Sequence, residues 1–160
     1  MMIRPATPTD AEAVGQLMAE SADYLRALGD TTDFRFTAET YVRDGFGPNP
    51  AFSGLVAEVD GEVVGHLLYH FGYDTDRAMR LLDVIDLMVR ENRRGQGIGK
   101  ALMFKAAEIG REAGASELVW AVYKPNKSAA EFYERLGAEY IEDLRFMRWN
   151  IKDFRFTIYD

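Results

Sequence analysis

Apolar positions along the chain change their period several times, and each change marks an element. "MMIRPAT" reads as a short first strand. Val14, Leu17 and Met18 then recur at helical spacing, after Thr7 as N-cap and Pro8 in the first turn. "FTAETYVRDGFG" predicts a shorter helix that runs into a glycine-rich loop. "FSGLVAEV" and "EVVGHLLYHF" are β-rich runs joined by Asp60-Gly61, a pair suited to a tight type I′ turn, so an antiparallel hairpin is expected. "LLDVIDLMV" (81–89) is mostly apolar and reads as a central strand. A helix to about Ala113 follows, with Leu102, Ala106 and Ile109 along one face and Gly114 as its stop. "ELVWAVY" (117–123) reads as a buried strand. Pro125-Asn126 opens a helix through Leu136, which Gly137 ends, and "LRFMRWNI" and "FRFTIYD" read as late strands. The order β-α-α-β-β-β-α-β-α-β predicts one mixed α/β (α+β) domain over residues 1–160.

Composition narrows the classes of function. No apolar run approaches the ~20 residues needed to span a bilayer, and the N-terminal stretch lacks the long apolar region of a secretory signal. The chain has no cysteine, which excludes disulfides, zinc-thiolate sites and a cysteine nucleophile. A cytoplasmic location is the expectation. The formal net charge of −7 argues against nucleic acid as a partner, because phosphate contacts need a basic face. The same field steers a cationic substrate favourably.

The unusual stretch is "RRGQGIGK" (93–100), directly after the strand "DVIDLMV". A glycine-rich turn between a strand and a helix N-terminus points several N–H groups outward, and the helix dipole adds partial positive charge. The stretch reads as a phosphate cradle; a plain tight turn is the alternative. The dinucleotide fingerprint fails because Lys100 stands where its third glycine belongs, and the P-loop fails at Arg94 and Ala101.

Arg94-Gly95-Gln96-Gly97-Ile98-Gly99 matches the [QR]-x-x-G-x-[GA] segment of GNAT-type N-acetyltransferases, and "NKSAAEFYERLGAEY" (126–140) resembles that family's later motif of Asn, Phe-Tyr and Leu-Gly. The segments 44–59 and 69–89 resemble the corresponding parts of spermidine/spermine (diamine) N-acetyltransferases. The resemblance implies the GNAT fold: a mixed sheet of six to seven strands, antiparallel in its N-terminal part, with helices on both faces. It implies acetyl-CoA as donor, no metal, a small amine as acceptor (a diamine, polyamine or thialysine-like amino acid) and a homodimer. It assigns the pyrophosphate to Arg94, Gly95, Gln96, Gly97, Ile98 and Gly99, with Lys100 adjacent. The main chain of Leu87, Met88 and Val89 would take the pantetheine arm, their side chains being core. Tyr133 would protonate the leaving thiolate, and Asn126, seven residues earlier on the same helical face, would contact the donor as well as cap its helix. Packing alone is the other reading of Tyr133.

The base is where the chain departs from those relatives. The diamine enzymes carry Glu-Asp before the pantetheine strand; here the pair is Ile85-Asp86. Asp83 lies two residues before position 85 and shares its face, whereas Asp86 points the other way unless a bulge rotates it. Carboxylates in an apolar strand are costly to bury without a purpose or partner. Asp83 and Asp86 are therefore candidate amine-binding groups or bases, with an exposed strand end as the alternative. His66 and His70 fall on one strand face, but no third ligand accompanies them, so both read as polar hairpin positions. With no cysteine to acylate, direct attack in a ternary complex is expected. Alternatives are an acceptor amine on a protein or antibiotic, and a CoA-binding regulatory module without turnover.

Overall fold

The computed structural model describes residues 1–151. Strand β1 (Met2–Pro5) is followed by a single 3₁₀ turn and helix α1 (Ala11–Ala27), then α2 (Ala38–Phe46). Strands β2 (Ser53–Val59), β3 (Glu62–Asp74) and β4 (Met79–Val89) come next, then α3 (Ile98–Glu112), β5 (Ala115–Val119) and α4 (Lys127–Arg135). The β2–β3 turn is as expected: Asp60 and Gly61 both have positive φ, 54° and 79°. Thr37 caps α2 by accepting from the Thr40 N–H.

The sheet order is β1-β2-β3-β4-β5, antiparallel through β4, with β5 parallel to it. Helices cover both faces. Val14 of α1 and Tyr41 of α2 pack on Val56 and Leu68. On the other face Ile98, Leu102, Met103 and Ala106 of α3 pack on Leu55, Leu67, Leu82 and Val84, joined by Phe132 and Leu136 around α4.

Three expectations need correction. The sheet has five strands among the described residues, not six or seven. Residues 144–151 form no strand, and Phe146 and Met147 are 93% and 98% exposed; strand propensity expresses itself only where a pleated, half-buried surface receives it. The run at 154–160 lies outside the described residues. The strand expected at 117–123 is instead Ala115–Val119. Gly114, at φ 80°, turns the chain straight from α3 into β5, so the strand starts two residues early and is spent by Val119.

Strand β4 is irregular along both of its edges. In the β3–β4 ladder Leu68 faces Asp86 while Tyr69 faces Val84, which leaves Ile85 as an extra residue on β4. On its other side, β4 pairs with β5 only from Arg80 to Asp83. Beyond Asp83, the edge of β4 that points away from β3 meets no strand among the described residues.

One ion pair ties the first strand to the helical layer. Arg4 donates to both carboxylate oxygens of Asp10, at 2.9 and 2.7 Å, and Asp10 also accepts from the Thr7 N–H and hydroxyl. The Arg4 hydrogen bond, ahead of those from Thr7, holds the Asp10 carboxyl below the usual carboxylate range. A depressed folded-state value means that Asp10 stabilises the fold above its unfolded value near 3.9, and that this contribution disappears as pH falls through the folded value. Asp10→Asn is expected to cost about 1.5–3 kcal/mol at pH 7, and little at a pH below both values, in urea titrations.

Candidate active site

Where β5 leaves β4, residues 120–123 and α4 open away and a cleft of about 550 Å³ forms. Its floor is the unpaired edge of β4, Val84 to Val89. Its far wall is Trp120 to Tyr123 with Asn126, Phe132 and Tyr133, and its mouth is the glycine stretch before α3. Met88 is buried, and Leu87 and Val89 pack against the main core, so their side chains are core as expected. Their main-chain groups on the open side are left for something other than a strand.

The mouth presents main-chain N–H groups of the kind that suit an anion. Gly95 and Gly97 have φ of 75° and 81°, a region that L side chains rarely adopt, and a Cβ at either would point into open space. Gly97 is the N-cap of α3, with no side chain to cap it. The first α-helical bond runs from Ala101 N–H to Gly97 O at 3.0 Å, so the N–H groups of Ile98, Gly99 and Lys100 precede the ladder. Gly99 is small for a different reason: a Cβ there would lie 3.2 Å from the Phe132 ring. Gly95, Gly97, Ile98, Gly99 and Lys100 all line the cleft, whereas Gln96 does not.

Arg94 is held at the mouth. Its Nε donates to Val89 O at 3.0 Å, and its guanidinium lies 5.0 Å over the Tyr24 ring. The Tyr24 hydroxyl donates in turn to Asn126 Oδ1 at 3.0 Å. The same oxygen accepts the Ala129 N–H, so Asn126 caps α4 and is tied to α1 at once. The chain thus links the cradle to the helix that carries Tyr133.

Tyr133 packs against Trp120 and Phe132, with ring centroids 4.9 and 5.1 Å away. Burial, and secondarily the negative charge of Asp86, push its phenol up to about 12. It therefore stays protonated at any physiological pH, as an acid must before it acts.

The carboxylates part company. Cross-strand partners share a face, so the bulge at Ile85 brings Asp86 to the same face as Asp83, opposite Leu68 and His70 respectively. Asp86 lines the cleft; Asp83 does not. Asp83 lies 3.5 Å from His70, and both are largely solvent-facing. Asp86 Oδ2 lies 2.5 Å from Nε2 of His66, which is fully buried. The reading of both histidines as polar hairpin positions is thus corrected for His66. Among the described residues no cluster of three or more His, Asp or Glu could hold a metal ion, and no helix is long and apolar enough to cross a membrane.

A sequence profile described as the Acetyltransferase (GNAT) family matches residues 16–138. The chain belongs to the GNAT acetyltransferase family. It is an acetyltransferase, and the fold expected from the cradle and the later motif is borne out in class. The thialysine N-epsilon-acetyltransferase of Bos taurus is 37% identical over 147 residues, 87% of this chain and 84% of the relative. A human spermidine/spermine N(1)-acetyltransferase-like protein is 29% identical over 85% of this chain, which spans 20% of that longer relative. An aminoglycoside N-acetyltransferase solved in complex with CoA has the same fold, with a TM-score of 0.70 at 18% identity over 93% of this chain and 99% of that one.

Sequence reasoning passed over Tyr24 of this acetyltransferase and read His66 only as a polar hairpin position. Nothing in α1 distinguishes Tyr24 before its partner Asn126, 102 residues away, is known. His66 did carry a signal: a polar residue within the apolar run "VVGHLLY", in a strand next to an apolar run that holds Asp86.

Proposed function

We propose that this enzyme transfers the acetyl group of acetyl-CoA to a primary amine of a small cationic acceptor, by direct attack in a ternary complex. The observation that carries the reading is the single cleft that joins the anion cradle, the open edge of β4, Asp86 and Tyr133. The N–H groups at 98–100, with Arg94, would hold the donor's pyrophosphate, and the edge of β4 at 87–89 that β5 does not pair, apart from the Val89 carbonyl taken by Arg94, would hold its amide-bearing arm. Acetyl-CoA supplies the thioester. Among the described residues Asp86 is the only carboxylate lining the cleft, so it takes the ammonium end of the acceptor and receives its proton. Tyr133 supplies the proton to the departing sulfur, and its phenolate is restored by the second proton that the acetylated nitrogen sheds. The two events assist one another: a proton on Asp86 cancels the charge that helps to hold the Tyr133 proton in place.

Thialysine-like amino acids, diamines and polyamines are the favoured acceptors. The named relatives act on such amines, and Asp86 gives the cleft a carboxylate to meet the acceptor's ammonium group. A charge-assisted contact worth about 1–3 kcal/mol predicts roughly 5- to 150-fold higher kcat/KM for a dicationic amine than for an uncharged arylamine. Asp86→Asn is expected to erase most of that preference and Asp83→Asn much less. Thiol-release assays over an amine panel check it, and equal kcat/KM for cationic and uncharged amines in the wild type would overturn the acceptor assignment.

A further inference from the structure

We propose that His66 is a positioning residue for the amine-deprotonating carboxylate, taking the place of a second acid in the strand. This rests on Asp86 as the group that receives the ammonium proton. In the β3–β4 ladder His66 faces Met88 and Leu68 faces Asp86, so His66 and Asp86 are diagonal neighbours on one face. Only the bulge at Ile85 makes this possible; in unbroken alternation from Asp83, Asp86 would lie on the opposite face. The contact is short, 2.5 Å, and its two partners differ sharply in exposure: His66 is fully buried, while the Asp86 side chain keeps 26% of its surface. One carboxylate oxygen is thereby pinned inside the sheet layer. The other, Oδ1, has no hydrogen-bond partner among the described residues and belongs to a side chain that lines the cleft.

An ionised carboxylate only accepts, so the imidazole donates from Nε2 and its Nδ1 is bare. Nδ1 is buried and finds no partner among the described residues. A histidine held this way spends its one useful proton on Asp86, and no other observed contact explains the burial of a polar ring in an apolar strand. In the reaction an N–H bond of the substrate ammonium breaks and its proton goes to Asp86 Oδ1. The electron pair stays on nitrogen for attack at the acetyl carbon, and the Nε2 proton stays with His66. The position that carries a glutamate in the diamine-type motif is Ile85, half-exposed at the bulge and without an acidic group. The pair at 66 and 86 therefore draws its second polar member from the neighbouring strand.

The test combines spectroscopy with kinetics. His66 and His70 are the only histidines, so ¹⁵N-histidine labelling with a His70→Gln control assigns the ring directly. The expected result is a neutral His66 protonated at Nε2, with a downfield Nε2 proton that is lost in Asp86→Asn. A ring protonated at Nδ1 alone, or a spectrum unmoved by Asp86→Asn, overturns the proposal, whether or not any variant turns over. In kinetics His66→Leu is expected to lower kcat/KM for the amine about 10²-fold, the scale of a misplaced reacting group, with KM for acetyl-CoA changed less than about twofold. His66→Gln, whose amide can donate from nearly the same place, is expected to recover activity to within about fivefold of wild type, since it restores one hydrogen bond of ordinary strength. A folded His66→Leu within twofold of wild type, or a His66→Gln no better than His66→Leu, sinks the positioning role. Failure of the wild type to acetylate any amine would instead remove the proposed function, leaving the ring's tautomer as a separate result.

Discussion

Tyr133→Phe is expected to lower kcat by about 10²-fold or more, with the CoA dissociation constant nearly unchanged. The substitution removes one hydroxyl from a ring wedged between Trp120 and Phe132, and those ring contacts do not need the oxygen. The packing of α4 should survive, with Asn126 still capping it. What is lost is a largely buried phenol that can donate a proton, close enough to Asp86 for its charge to raise the affinity for that proton. Stopped-flow detection of free thiol gives kcat, and calorimetry gives the CoA affinity. A kcat within twofold of wild type would make Tyr133 a packing residue and send the search for the acid elsewhere along the cleft.

Gly97→Asp is expected to weaken CoA binding by about 10²-fold or more. The site would lose one or two charge-assisted hydrogen bonds, at roughly 1.5–3 kcal/mol each, and gain a like charge beside the phosphates. Steric exclusion from the fold is not the cause, because nothing lies within 4 Å of a Cβ at position 97. An aspartate at an N-cap occupies the very N–H groups that an anion would use. Gly97→Ala separates the effects. It shares the strain of a positive φ without the carboxylate, so its loss of affinity should be much smaller. Calorimetry on both folded variants decides it. Unchanged affinity in Gly97→Asp, or equal losses in the two, would remove the cradle assignment.

The parts of this enzyme that were readable in the sequence are those fixed by local chemistry. Asp60-Gly61 specifies its turn, Gly114 and Gly137 end their helices, and the glycines at 95 and 97 mark the proposed anion mouth through backbone angles of their own. Tyr133 and Asn126 were legible as candidates because one short helix and its cap carry both ends of a motif. What escaped depends on pairing between distant segments. The bulge at Ile85 exists only in the register of β3 against β4, and it reverses the face that alternation assigns to Asp86. The early end of β5 is likewise invisible in "ELVWAVY", which is β-prone throughout; the sheet splits after Val119 and the cleft opens there. Asp83 and Asp86 were both candidate acids in an apolar run, on opposite faces unless a bulge rotated Asp86. The register separates them into a solvent-facing partner of His70 and a cleft carboxylate backed by His66. The run at 144–151 shows the converse: its apolar and aromatic composition suggests a strand, yet it forms none, and Phe146 and Met147 stay exposed.

The most direct test of the central claim is two-substrate steady-state kinetics, with acetyl-CoA and thialysine or spermidine varied together and free thiol followed against N-acetylated product by mass spectrometry. Direct transfer predicts intersecting double-reciprocal lines, one thiol released per acetyl group transferred, and an equal fall of both signals in Asp86→Asn and in Tyr133→Phe. Parallel lines, or thiol release that does not depend on the amine, would contradict direct transfer between two substrates held in one cleft.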